Sequence, residues 1–191
     1  CAPPCYWGAY TSFFGQLYAA GVRPIVATGN NAYAAEVSSP ACAPGAVAVA
    51  ALLDRSYSFE TASCAQQGVA GDIVCFSNKN GLIGLLAPGL SITASGYTLS
   101  GTSMAAPHVA GAIALVYQMF AGALTPRSSI NLLKFWSTAA PQESARVYSS
   151  LNFKSALIST FEHSVHADVA FTTSESRAID ADGAQVNFTV N

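Results

Sequence analysis

The segment from Thr102 to Phe120 constrains this chain most. Thr102 and Ser103 carry hydroxyls that suit a helix start, Pro107 follows within the expected first turn, and apolar residues run on from Val109 to Phe120. The pattern predicts a helix over 102–120 that needs a core to pack against. The longest apolar stretches, 41–53 and 109–116, fall short of the ~20 residues that a membrane-spanning helix requires. Both are interrupted by Ala and Gly, so they read as buried core, and no membrane partner is expected.

Upstream of that helix, residues 11–22 put Phe13, Phe14, Leu17 and Tyr18 at helical spacing, with Gly21 suited to the C-terminus. Ile25-Val26-Ala27 then reads as a short buried strand ending in the polar turn Thr28-Gly29-Asn30-Asn31. Two more runs of strand length follow, 46–53 and 84–87, the latter just before Pro88-Gly89. An order of helix, three strands and helix suits an α/β domain with a mainly parallel sheet flanked by helices. Residues 124–136 add an amphipathic helix with Pro126 near its start.

Beyond about Phe161 the sequence turns polar, with short alternating runs that suggest strands. We therefore expect residues 1–160 to belong to one domain and 161–191 to be a polar, β-rich tail or the start of a further domain. The whole chain, 191 residues, suffices for one domain with a real core and not for two. Charged residues make up 9%, against about 25% in ordinary domains. With a net charge of −2 there is no basic patch, and no nucleic-acid partner is expected.

Five cysteines occur, at 1, 5, 42, 64 and 75, with no C-x-x-C pair and only three histidines to join them. That spacing fits no zinc template, and disulfides in an exported protein are the better reading. Cys64 and Cys75 bracket a stretch with Gln66-Gln67-Gly68 and Gly71-Asp72 and suit a local bridge. The scattered carboxylates Asp54, Glu60 and Asp72 form no dense oxygen-ligand loop, so no metal is assigned. The chain opens on Cys-Ala-Pro-Pro-Cys and reads as a mature or truncated piece.

The chemistry concentrates in Gly101-Thr102-Ser103-Met104-Ala105-Ala106-Pro107-His108-Val109-Ala110-Gly111. A serine at a helix start is usually a cap. Here, small residues on both sides leave room for a substrate backbone, and the helix N-terminus offers free N–H groups and partial positive charge to an oxyanion. The run is not the G-x-S-x-G elbow of α/β-hydrolases, because Ala105 stands where the second glycine belongs. An asparagine after a strand, such as Asn30, is by itself ordinary turn chemistry.

The run GTSMAAPHVAG resembles, at all eleven positions, the nucleophile motif of the subtilisin-like (S8) serine peptidases. Val26-Ala27-Thr28-Gly29-Asn30 is similar to the family's strand and turn that supply the oxyanion-hole asparagine. Phe76-Ser77-Asn78 and Leu85-Leu86-Ala87-Pro88-Gly89 resemble the segment leading to the nucleophile, and Ser39-Pro40-Ala41-Cys42 resembles a bacterial subgroup. The resemblance implies a subtilisin-like α/β fold and a serine endopeptidase acting on protein or peptide substrates. Ser103 would be the nucleophile, and the Asn30 amide with the Ser103 N–H the oxyanion donors. Gly29, Thr28, Gly101 and Thr102 would line the substrate site. The motif histidine, His108, would be structural, since it lies five residues past Ser103 and points away from the serine's face.

The family's catalytic Asp and His motifs are not in this chain, and neither His163 nor His166 matches a family pattern for a base. The expectation is a partial domain lacking its N-terminal portion, which is its partner, with the triad Asp and His upstream and the fragment alone inactive. The alternative is a binding module or relic that keeps the fold without the base. The resemblance further implies a secreted protein, leaves calcium open for the complete domain, and suggests a Cys5–Cys42 bridge.

Overall fold

The computed structural model describes residues 8–120, 124–135, 137–139, 149–151, 177–179 and 185–187. The chain opens with helix α1 (Gly8–Ala19), followed by strands β1 (Ile25–Ala27) and β2 (Val47–Leu52). A hairpin, β3 (Tyr57–Glu60) and β4 (Ala65–Gly68), precedes β5 (Ile83–Pro88). A second hairpin, β6 (Ile92–Ala94) and β7 (Tyr97–Leu99), leads into α2 (Thr102–Met119). Then come α3 (Pro126–Phe135), β8 (Thr138–Ala139), β9 (Ser149–Ser150), β10 (Arg177–Ile179) and β11 (Gln185–Asn187).

Five strands make one sheet in the order β1-β2-β5-β9-β8. β1, β2, β5 and β9 pair in parallel, and only β8 runs antiparallel, against β9. This is the expected mainly parallel sheet with helices packed on it. All six residues of β2 are buried, because both faces of this central strand are covered. Val47, Val49 and Ala51 face one core with Leu85, Ala87 and α2. Ala50 and Leu52 face a second with Ile73 and Leu86. In α2, Ala105, Val109, Ala112 and Val116 recur at helical spacing and form the stripe laid on β1, β2 and β5. Each fully buried valine there contributes about 1.5–3 kcal/mol of apolar transfer.

Three local expectations are corrected. α1 spans Gly8–Ala19, starting before residue 11, while Gly21 at φ 76° ends it as the sequence suggests. The Gly21 N–H bonds the Tyr18 carbonyl at 3.0 Å and the Val22 N–H bonds the Leu17 carbonyl at 2.8 Å, the paired closure of a Schellman end. Pro107 is the sixth residue of α2, not part of its first turn. It therefore cannot donate to the Ser103 carbonyl, one turn back. The α2 N-cap is Gly101, with no side-chain cap of its own, so neither Thr102 nor Ser103 caps the helix.

Cys64 and Cys75 form the expected disulfide, with Cα atoms 6.1 Å apart. Cys42 is disulfide-bonded as well; Cys5, its expected partner, and Cys1 lie outside the described residues. The expected boundary at 160/161 also falls outside them, as do His163 and His166. β10 and β11 pair antiparallel with each other. Among the described residues, no helix is long and apolar enough to cross a membrane.

Candidate active site

β1, β2 and β5 run parallel, so their C-terminal ends open at one edge of the sheet, where α/β folds gather their ligands. β1 ends at Ala27 and hands the chain to Thr28, Gly29 and Asn30. β5 ends at Pro88, and after the β6–β7 hairpin the chain returns through Gly101 into α2. The Gly101 N–H bonds the Gly89 carbonyl at 2.7 Å, which draws the helix start back onto the end of β5. Residues 72 apart in sequence thus meet at one place.

The Thr102 N–H, first in α2, donates to Asn30 Oδ1 at 2.9 Å. Because a backbone N–H can only donate, the oxygen of the Asn30 amide must face it, and this fixes which way the amide points. The Thr102 hydroxyl donates to the same Oδ1 at 2.9 Å and accepts from the Gly29 N–H at 3.1 Å. Asn30 is therefore the remote cap of α2, the role that Thr102 and Ser103 do not fill. Its Nδ2 lies over Gly101, 3.1 Å from where a Cβ there would stand. Gly101 also holds φ 154° and ψ 162°, a conformation open essentially to glycine alone.

Ser103 is exposed at the second position of α2, and its hydroxyl makes no hydrogen bond among the described residues. Its backbone N–H falls among the first four of the helix, which have no intrahelical acceptor. The helix N-terminus adds partial positive charge at the same point. An exposed hydroxyl, a free N–H and a carboxamide held by its oxygen thus stand together. Gly29, Asn30, Gly101, Thr102 and Ser103 are brought into one place. Thr28 sits one residue behind, wholly buried, with its hydroxyl unpartnered.

His108 is not beside Ser103. Its Nδ1 lies 2.8 Å from the Met104 carbonyl, one turn back on its own helix. That carbonyl can only accept, so Nδ1 carries the proton and the ring is tied to α2. Of the carboxylates, Asp54 pairs with Arg55 at 3.2 Å, and Asp72 accepts from the Val69 N–H at 2.8 Å. Among the described residues, no group of three or more His, Cys, Asp or Glu side chains could hold a metal ion.

Asn78 supports the Asn30 turn, a part that reading the sequence did not assign to it. It is fully buried. Its Oδ1 accepts from the Asn31 and Tyr33 N–H groups at 2.9 and 3.1 Å. Its Nδ2 donates to Ser38 Oγ at 3.0 Å and Asn31 Oδ1 at 3.3 Å, and its own N–H bonds the Gly29 carbonyl at 2.9 Å. Gly29, at φ 100°, has no room for a Cβ, which would run into Ser38 Oγ and Asn78 Nδ2. An asparagine that satisfies a turn from 47 residues away leaves no periodic signal in sequence. Replacing it with alanine strands two N–H donors and leaves a cavity, for an expected loss of about 2–4 kcal/mol. Urea unfolding of the complete protein measures this, and a loss below about 1 kcal/mol would contradict the role.

A model of the subtilase family matches residues 8–169. The chain is 36% identical over 137 residues to an extracellular serine proteinase of Thermus sp. (strain Rt41A), covering 68% of this chain and 30% of that protein. It is 41% identical over 116 residues to the subtilisin-like serine protease Pen ch 13 of Penicillium rubens, covering 56% of this chain and 25% of that protein. Among solved structures, a cold-adapted subtilisin-like serine proteinase aligns with TM-score 0.54 and 32% identity over 71% of this chain and 45% of that one. The prenylagaramide maturation protease PagA aligns with TM-score 0.60 and 27% identity over 77% and 54%. The chain thus spans about a quarter to a third of these curated relatives and about half of the solved chains.

Proposed function

This chain belongs to the subtilase family, and from that premise we propose that it carries the nucleophile and oxyanion donors of a secreted serine endopeptidase. Ser103 Oγ attacks the scissile carbonyl carbon while a base takes its proton. The carbonyl oxygen becomes an oxyanion held by Asn30 Nδ2 and the Ser103 N–H. The C–N bond then breaks, the amine leaves with a proton returned by the base, and water hydrolyses the acyl-serine. Gly29, Gly101 and Thr102 shape the floor of the site, and Thr28 supports it from beneath.

The observation that carries this reading is the bond from the Thr102 N–H to Asn30 Oδ1, 2.9 Å long. With Oδ1 held there, Nδ2 is free of that bond and lies over Gly101, at the start of the helix that carries the Ser103 N–H, which supports a pair of donors set before substrate arrives. Such preorganisation is the main electrostatic source of rate in acyl transfer. His108 is tied to its own helix, and from the family resemblance we assign the base and its aspartate to an upstream segment that would complete the domain with residues 1–160. Export is supported by relatives named as extracellular and by the Cys64–Cys75 disulfide.

The test treats the complete natural protein and residues 1–191 alone with a fluorophosphonate, followed by peptide mapping and a casein hydrolysis assay. The complete protein is expected to hydrolyse casein and to carry the phosphonate on Ser103. Residues 1–191 alone are expected to do neither. Labelling at another residue, or turnover by 1–191 alone, would overturn the assignment.

A further inference from the structure

Hairpin β3–β4 leans on the oxyanion turn. The Ser63 hydroxyl, in its exposed connecting loop, donates to the Asn30 carbonyl at 3.3 Å. We propose that this hairpin is a wall of the substrate cleft beside the scissile bond and restricts the size of the substrate residue that passes it. The proposal rests on the endopeptidase reading and adds to it a specificity element.

The first argument is distance. An extended peptide advances about 3.3–3.6 Å per residue. Ser63 touches the backbone of the residue whose amide faces the oxyanion, so the loop stands within about three substrate residues of the bond that is cut. Its exposed residues there, Ala62 and Ser63, are both small.

The second argument is rigidity. A two-stranded hairpin alone is marginally stable in water. This one is fastened at every level. Cys64, at the end of the loop, is bonded to Cys75. The Gln66 side chain donates to the Ile73 carbonyl at 3.0 Å and accepts from the Cys75 N–H at 2.8 Å. Within the loop, the Thr61 hydroxyl donates to the Cys64 carbonyl at 3.0 Å and accepts from the Cys64 N–H at 3.2 Å. Tyr57, Phe59 and Cys64 pack against the main core, while Ser58, Glu60 and Ala62 point to solvent. A surface fixed before binding loses little ordering entropy when a ligand meets it, which is what selection by shape requires.

The experiment uses the complete natural protein with Ser63→Trp and, separately, the double variant Cys64→Ser/Cys75→Ser. Both are assayed on peptides that differ in one residue, Ala or Phe, at each of three positions on either side of the cut. Ser63→Trp is expected to lower kcat/KM for the Phe peptide relative to its Ala counterpart by about tenfold or more at one or two adjacent positions. Freeing the hairpin in the double variant is expected to flatten the wild-type Ala/Phe ratio at those same positions. Unchanged ratios in a Ser63→Trp protein that unfolds like wild type would overturn the proposal. So would a uniform loss across all peptides, which would make the hairpin only a brace for Asn30. Should the wild-type protein hydrolyse none of the peptides, the endopeptidase reading itself falls, and the cleft wall with it.

Discussion

Ser103→Ala in the complete protein is expected to lower kcat by about 10⁶-fold while leaving stability within about 0.5 kcal/mol of wild type. The kinetic figure is carried over from subtilisin, the reference enzyme of this family. The Ser103 hydroxyl makes no hydrogen bond among the described residues and is exposed, so removing it strands no partner and opens no cavity. What disappears is the hydroxyl that forms the acyl-enzyme in the proposed mechanism. Water must then attack directly, helped by the oxyanion donors that remain, which sustain a residual rate of about 10³–10⁴ over the uncatalysed one. Burst kinetics and thermal unfolding on the same preparation check both halves. Loss of activity accompanied by a large fall in Tm would indicate that Ser103 has a structural role that its surroundings do not show.

The parallel core was legible because β1, β2 and β5 are short apolar runs between turn residues, and α2 is long and periodic. Local pattern and tertiary packing agree there. The two hairpins were not read as strands. β6 and β7 are three residues each and mostly exposed, so neither carries an apolar alternation. β3 and β4 are held by Cys64–Cys75 and by Gln66, constraints that act across the segment and not along it. The site divides in the same way. Asn30 and Ser103 stood out through the family resemblance, and the structure brings them together. The capping of α2 by Asn30 did not, because a cap is sought next to its helix. Nor did the buried network of Asn78, whose partners Asn31, Tyr33 and Ser38 are ordinary loop residues in sequence.

Asn30 caps α2 through Oδ1 and in the proposed mechanism also holds the oxyanion, and two substitutions pull these roles apart. Asn30→Ala removes both the Nδ2 donor and the Oδ1 cap. Losing an oxyanion donor costs about 10²–10³ in kcat, again a subtilisin value. Losing the cap leaves the Thr102 N–H orphaned and costs about 0.5–2 kcal/mol of stability. Asn30→Asp keeps an oxygen for the Thr102 N–H and hydroxyl, and its charge suits the positive end of α2. The same charge would face the oxyanion, where a like-charge pair at about 4 Å and an effective dielectric near 20 opposes by about 4 kcal/mol, roughly a further 10³ in rate. Activity should therefore fall in the order Asn, Ala, Asp, while stability should be lowest for Ala and at least wild-type for Asp. Parallel kcat and urea-unfolding measurements decide the matter. If Asp proves as unstable as Ala, Oδ1 is not the cap of α2. If Asp retains turnover, the amide does not face the oxyanion. Only a side chain that holds the helix with one atom and meets the transition state with the other ranks Asp below Ala in activity and above it in stability.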